Sequence, residues 1–254
     1  MKRFLRILLI TFSCILSLGL LIMVQPVDPV QKDPGNQPFV YPDTLVLGSH
    51  SLDSLKTIVG TNKGLPEGFE EAALLAYAAY PELKDVQVDM ILTQSGAPME
   101  SNFDLFTLLG PKSKRRYKVL LNNGTDTPFD EILLRNLPFN AQVGILAHEL
   151  GHVAYYHKLS TLQIAKWGLK YVGDDDFRAK HEKSTDMMVV YHGLGSQIYQ
   201  YAYYVRHDSC CKALYEKFGA LFIDKFYLTD KNIKEAISTH PLYQTSKTDP
   251  TEEL

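Results

Sequence analysis

The chain has 254 residues, of which 45% are hydrophobic and 22% charged, with a formal net charge of −3. That length holds one domain of ordinary size plus a leader, and the composition is that of a globular protein. The slight negative charge, without a basic stripe interleaved with aromatics, argues against a nucleic-acid partner.

Lys2, Arg3 and Arg6 precede an apolar run over residues 7–24. Residues 1–24 therefore read as a signal peptide or a membrane anchor. A run of about 18 residues is near the lower limit for spanning a bilayer, and no small-x-small cleavage site follows, which favours an uncleaved anchor. The basic flank stays in the cytoplasm and the rest is exported. Residues 25–42 contain five prolines, so 25–43 read as a linker. A domain is expected over 44–241, with a polar tail over 242–254.

Within the domain, residues 68–80 are apolar and alanine-rich and read as a helix closed by Pro81. Residues 86–92 alternate and then run apolar, as a strand does. Residues 103–109 read as a second strand. Residues 117–121 make a third, stopped by the turn signal Asn122-Asn123-Gly124. From Asp130 the pattern is mostly helical. A helix begins near Ala141 with Asn140 as its N-cap; others cover 161–171, 177–193, 196–205 and 213–233. Asp174-Asp175-Asp176 reads as a solvated turn that caps a helix. The expected fold class is α+β, a small antiparallel sheet followed by a mostly helical half. Apart from Cys14 in the leader, the cysteines are Cys210 and Cys211. Neighbours bridge only with strain, so a disulfide framework is excluded.

The informative stretch is His148-Glu149-Leu150-Gly151-His152. On a helix, residues i and i+4 share a face, so both imidazoles can grip one zinc ion. Glu149 between them can act as general base towards a water at the metal. Gly151 weakens the helix, and its missing side chain would let a strand or second helix approach closely. A tetrahedral zinc needs one more protein ligand if a water fills the fourth place. A third His six residues on, as in metzincins, is ruled out because Lys158 stands there. The better candidate is Glu182. Asp186, one turn later on the same face, is placed to accept a hydrogen bond from the outer nitrogen of His148. His181 is the rival ligand.

At these residues the chain resembles the gluzincin metallopeptidases, which combine His-Glu-x-x-His with a later Glu-x-x-small-Asp helix. The match here is Glu182-Lys183-Ser184-Thr185-Asp186. The nearest likeness is to the membrane-associated group of CAAX prenyl proteases and HtpX-like proteases, and covers about residues 141–195. Ser238-Thr239-His240-Pro241 is similar to a segment downstream of the zinc helices in that group. The resemblance implies a zincin-like core, Zn²⁺ as cofactor, a peptide or protein substrate, and hydrolysis by an activated water with Glu149 as base. It also implies that the strand over 117–121 offers its edge to an extended peptide. For the oxyanion donor, His240 and His192 are the first candidates; His207, Tyr191 and several later tyrosines stay open. The alternative is a membrane-tethered, non-enzymatic interaction module with a structural zinc. Sequence leaves the oligomeric state open.

Overall fold

The computed structural model describes residues 41–125 and 127–244. The expected leader or anchor over 1–24, the linker before Tyr41 and the tail after Gln244 lie outside the described residues. No described helix is long and apolar enough to cross a membrane. The architecture is α+β, with one small four-stranded sheet and a mostly helical remainder.

Helix α1 (Leu52–Val59) begins where the Ser51 hydroxyl accepts from the Ser54 amide. After the short β1 (Lys63–Gly64) comes α2 (Glu70–Ala78), with seven of its nine residues buried. A run of alanines and leucines without a polar face has to be enclosed on all sides. Tyr80, just beyond it, is fully buried and donates its hydroxyl to the Ala147 carbonyl at 2.8 Å. A polar atom that deep requires such a partner.

β2 (Gln87–Thr93) and β4 (Arg116–Asn122) bury alternate residues. Val88 and Met90 of the first, and Tyr117, Val119 and Leu121 of the second, enter the core. The strand order is β1-β2-β4-β3, where β3 is Met99–Phe103. β1, β2 and β4 run parallel, and only β3 is antiparallel, with Ser101 opposite Val119. The sheet is therefore mixed, a correction to the antiparallel expectation. Alternation reports which face is buried and carries no information on direction.

The strand expected over 103–109 is also corrected. β3 ends at Phe103, and the Asp104 carboxylate accepts from the Phe106 amide to cap one helical turn, Leu105–Leu108. A local cap prevails over an apolar run that has no neighbouring strand to pair with.

The central helix α3 (Phe139–Lys158) starts behind Pro138, slightly earlier than expected. Asn140 is not its N-cap. The Asn140 side chain instead accepts from the Leu45 amide at 2.7 Å and donates to the Leu45 carbonyl at 2.9 Å. That pairing ties the segment before α1 to the core. A capping box of Ser160 and Gln163 starts α4 (Thr161–Gly173). Asp174 caps α5 (Asp175–Tyr191) by accepting from the Phe177 amide. α6 (Gly195–His207) crosses α3 so closely that a Cβ on Gly144 would lie 2.4 Å from the Gln197 carbonyl oxygen.

The mostly helical stretch expected over 213–233 is not continuous. α7 (Lys212–Phe218) passes into a π-helical turn, Gly219–Ile223, and a short turn, Asp224–Phe226. Residues 227–229 then leave the helix before α8 (Asp230–Thr239). The Leu228 amide is drawn away to donate to the Asp186 carboxylate at 2.8 Å, and Thr229 caps α8. Tyr243 is buried and donates its hydroxyl to the Val190 carbonyl at 2.7 Å. The packed body therefore reaches past residue 241.

Candidate metal centre

One turn of α3 carries His148, Glu149 and His152, and one turn of α5 carries Glu182 and Asp186. The two helices meet where Gly151 faces Thr185. A Cβ on Gly151 would stand 2.9 Å from Thr185 Cγ2. Glycine costs a helix interior about 1 kcal/mol relative to alanine, and the close approach is what it permits here.

His148 Nε2 lies 3.2 Å from Glu182 Oε2, His152 Nε2 lies 3.3 Å from the same oxygen, and the two Nε2 atoms are 3.1 Å apart. All three side chains are buried, and together they form a group able to hold a metal ion. Each outer imidazole nitrogen has its own neighbour. His148 Nδ1 stands 2.8 Å from Asp186 Oδ1, whose other oxygen accepts from the Leu228 amide. His152 Nδ1 stands 3.1 Å from His181 Nε2. His181, the rival ligand, thus sits behind His152 and outside the ligand group. The second oxygen of Glu182 accepts from the Tyr171 hydroxyl.

The charges follow from these contacts. Burial alone would raise the Glu182 carboxyl, but His152 and His148 beside it hold it well below the usual range. Burial alone would lower His148, but Asp186 and Glu182 push it well above the ordinary value. His181 has no such anion to itself; burial, with His152 beside it, pushes it down to about 3.

Glu149 is buried next to the sheet. The Ser101 hydroxyl of β3 lies 2.6 Å from its Oε2 and 2.8 Å from its backbone oxygen. The Tyr227 ring is centred 5.8 Å from that of His148. Burial, and then the Glu182 carboxylate, hold the Tyr227 phenol well above its usual range. Burial, and then Glu149, do the same for Tyr201. Both phenols are neutral O–H donors at any working pH.

The two histidines weighed as oxyanion donors lie outside the ligand group. His192 is fully buried, with Nδ1 2.8 Å from the Met188 carbonyl and Nε2 3.0 Å from the Glu82 carboxylate. Both of its nitrogens are engaged, and its ring stacks on Tyr80. His240 packs against Tyr191 with ring centres 5.0 Å apart. Tyr191 lies on α5 about 13 Å of helix rise beyond Glu182. Of the tyrosines left open, Tyr227 has its ring beside His148.

Ser101, Tyr171 and Thr185 are the neighbours that sequence did not single out. Thr185 lies one turn from Glu182, so helical phase alone could have flagged it. Ser101 had no such signal, since its position depends on how β3 pairs. Cys210 is exposed and Cys211 buried, and neither belongs to the metal-capable group found among the described residues. Comparison with protein families, with curated proteins and with solved structures finds no match for this chain.

Proposed function

We propose that this chain is a zinc metalloendopeptidase of gluzincin type, with His148, His152 and Glu182 holding the ion and Glu149 moving the proton. The observation that carries the reading is the triangle of donor atoms, with edges of 3.1, 3.2 and 3.3 Å. Zinc bonds of about 2.0 Å at tetrahedral angles separate ligand atoms by about 3.3 Å. Calcium, at about 2.4 Å, requires wider spacing and more oxygens. Both imidazoles also have an outer nitrogen held, as metal-ligating histidines do. A structural zinc calls for four protein ligands, whereas the described residues offer three, which suits a catalytic site.

Bound there, zinc supplies Lewis acidity, bringing the pKa of a water towards neutrality and polarising a carbonyl. Glu149 accepts the proton of the attacking water and returns it to the leaving amine. Ser101 holds one carboxylate oxygen of Glu149 and leaves the other for that transfer. Tyr227, whose ring lies beside His148, would supply an O–H donor to the oxygen that becomes negative. β4, the strand expected to offer an edge, is paired on both sides. The outer edge next to Glu149 belongs to β3 among the described strands. An extended peptide adds to such an edge by backbone pairing. The zincin-like core, and export or tethering through residues 1–24, belong to the same proposal.

The test is Glu149→Gln in the full chain. Zinc content should stay unchanged while hydrolysis of a peptide library falls by about 10²–10⁴-fold. A variant that still cleaves at the wild-type rate overturns the assigned base.

A further inference from the structure

His181 is completely buried and lies outside the ligand group. Its Nε2 is 3.1 Å from His152 Nδ1, while its own Nδ1 has no hydrogen-bond partner. Tyr155, Trp167 and Tyr171 stand around the ring, with centres at 4.8, 5.3 and 5.8 Å. A nitrogen without a polar partner is better tolerated there as N–H than as a lone pair. Aromatic faces are negative; they attract an N–H and repel a lone pair. The His181 proton therefore sits on Nδ1, and Nε2 is an acceptor.

Thr185 points the same way independently. Its hydroxyl donates to the His181 carbonyl at 3.0 Å, which leaves its oxygen lone pairs 3.4 Å from His152 Nδ1. Two acceptors converge on that nitrogen, so it carries a proton. A neutral imidazole protonated at Nδ1 has its lone pair on Nε2, the atom within 3.3 Å of His148 and Glu182. The opposite pair of tautomers would aim an N–H at the same place and block a cation.

We infer that His181 is a positioning residue that locks His152 as its Nδ1–H tautomer, so that the Nε2 lone pair faces the metal. The inference rests on the metal reading above. It gives the two histidine ligands different supports, a carboxylate behind His148 and a neutral imidazole behind His152.

The test compares His181→Gln, whose amide oxygen can still accept from His152, with His181→Phe, which fills the space and accepts nothing. Zinc affinity is measured on the full chain by competition with a chelator. The phenylalanine variant should bind about 10–100-fold more weakly, as losses behind a ligand do, and the glutamine variant should recover most of the difference. Nitrogen-15 spectra of the zinc-loaded wild type should show a proton on His152 Nδ1 and a scalar coupling across to His181 Nε2. This spectrum serves even if the phenylalanine variant does not fold. Equal affinity in the phenylalanine variant, or an unprotonated Nδ1, overturns the role of His181 while leaving the metal reading standing. A wild type that takes up no zinc overturns both.

Discussion

The Ser101 hydroxyl stands 2.6 Å from the Glu149 carboxylate, joining the edge strand of the sheet to the proposed catalytic base. Hydrogen bonds to charged groups are worth about 1.5–3 kcal/mol. Ser101→Ala should therefore lower kcat by about 10–100-fold. Zinc content should be unaffected, since Ser101 is no ligand. Steady-state kinetics beside metal analysis would check this, and an unchanged kcat would show that the hydroxyl does not orient the base.

Asp186 serves two partners, His148 Nδ1 on one oxygen and the Leu228 amide on the other. Asp186→Ala removes the support of one ligand and frees the segment that carries Tyr227. Zinc binding should weaken about 10–100-fold, as measured by chelator competition. Affinity equal to wild type would mean that His148 is oriented by something else.

Two glycines of α3 should behave differently. At Gly144 an added methyl meets the Gln197 backbone, which has no rotamer to turn aside, whereas at Gly151 it meets the Thr185 methyl. Gly144→Ala should destabilise the fold by about 1–3 kcal/mol through overpacking. Gly151→Ala should cost less stability and more zinc affinity, because Thr185 touches the His152 ring. Urea unfolding with metal titration separates the two. A Gly144→Ala protein as stable as wild type would contradict the close α3–α6 crossing.

The adjacent cysteines should differ in reactivity. Burial, helped by the Cys210 thiol beside it, pushes the Cys211 thiol up to about 12, while Cys210 is exposed. Only the thiolate is alkylated, so at pH 8 iodoacetamide should label Cys210 and spare Cys211 in the folded protein. Peptide mass spectrometry reads this directly, and equal labelling would show that the turn after α6 is open.

The parts of the site that follow helical periodicity were legible in the sequence. His148 with His152, and Glu182 with Asp186, each lie one turn apart, and an i, i+4 spacing fixes a shared face before any tertiary structure is known. The strands over 86–92 and 117–121 were legible for a similar reason, since period two marks a half-buried face. Features that arise only when distant segments meet were not. The parallel pairing of β1, β2 and β4, and the pairing of β3 that brings Ser101 beside Glu149, depend on contacts between strands. Asn140 had the look of a cap, but Leu45, far away in sequence, claimed its side chain. His181 had the chemistry of a ligand, and only the packing of α3 on α5 put it behind His152. The bend at 227–229 came from Asp186 drawing the Leu228 amide out of a helix that local pattern would have continued.

The most direct test is the metal content of the purified full chain, measured by atomic absorption for the wild type and for His148→Ala. The proposed site of three buried donors predicts about one zinc per wild-type chain and little in the variant. A wild type without zinc, or a variant that keeps it, would contradict the account.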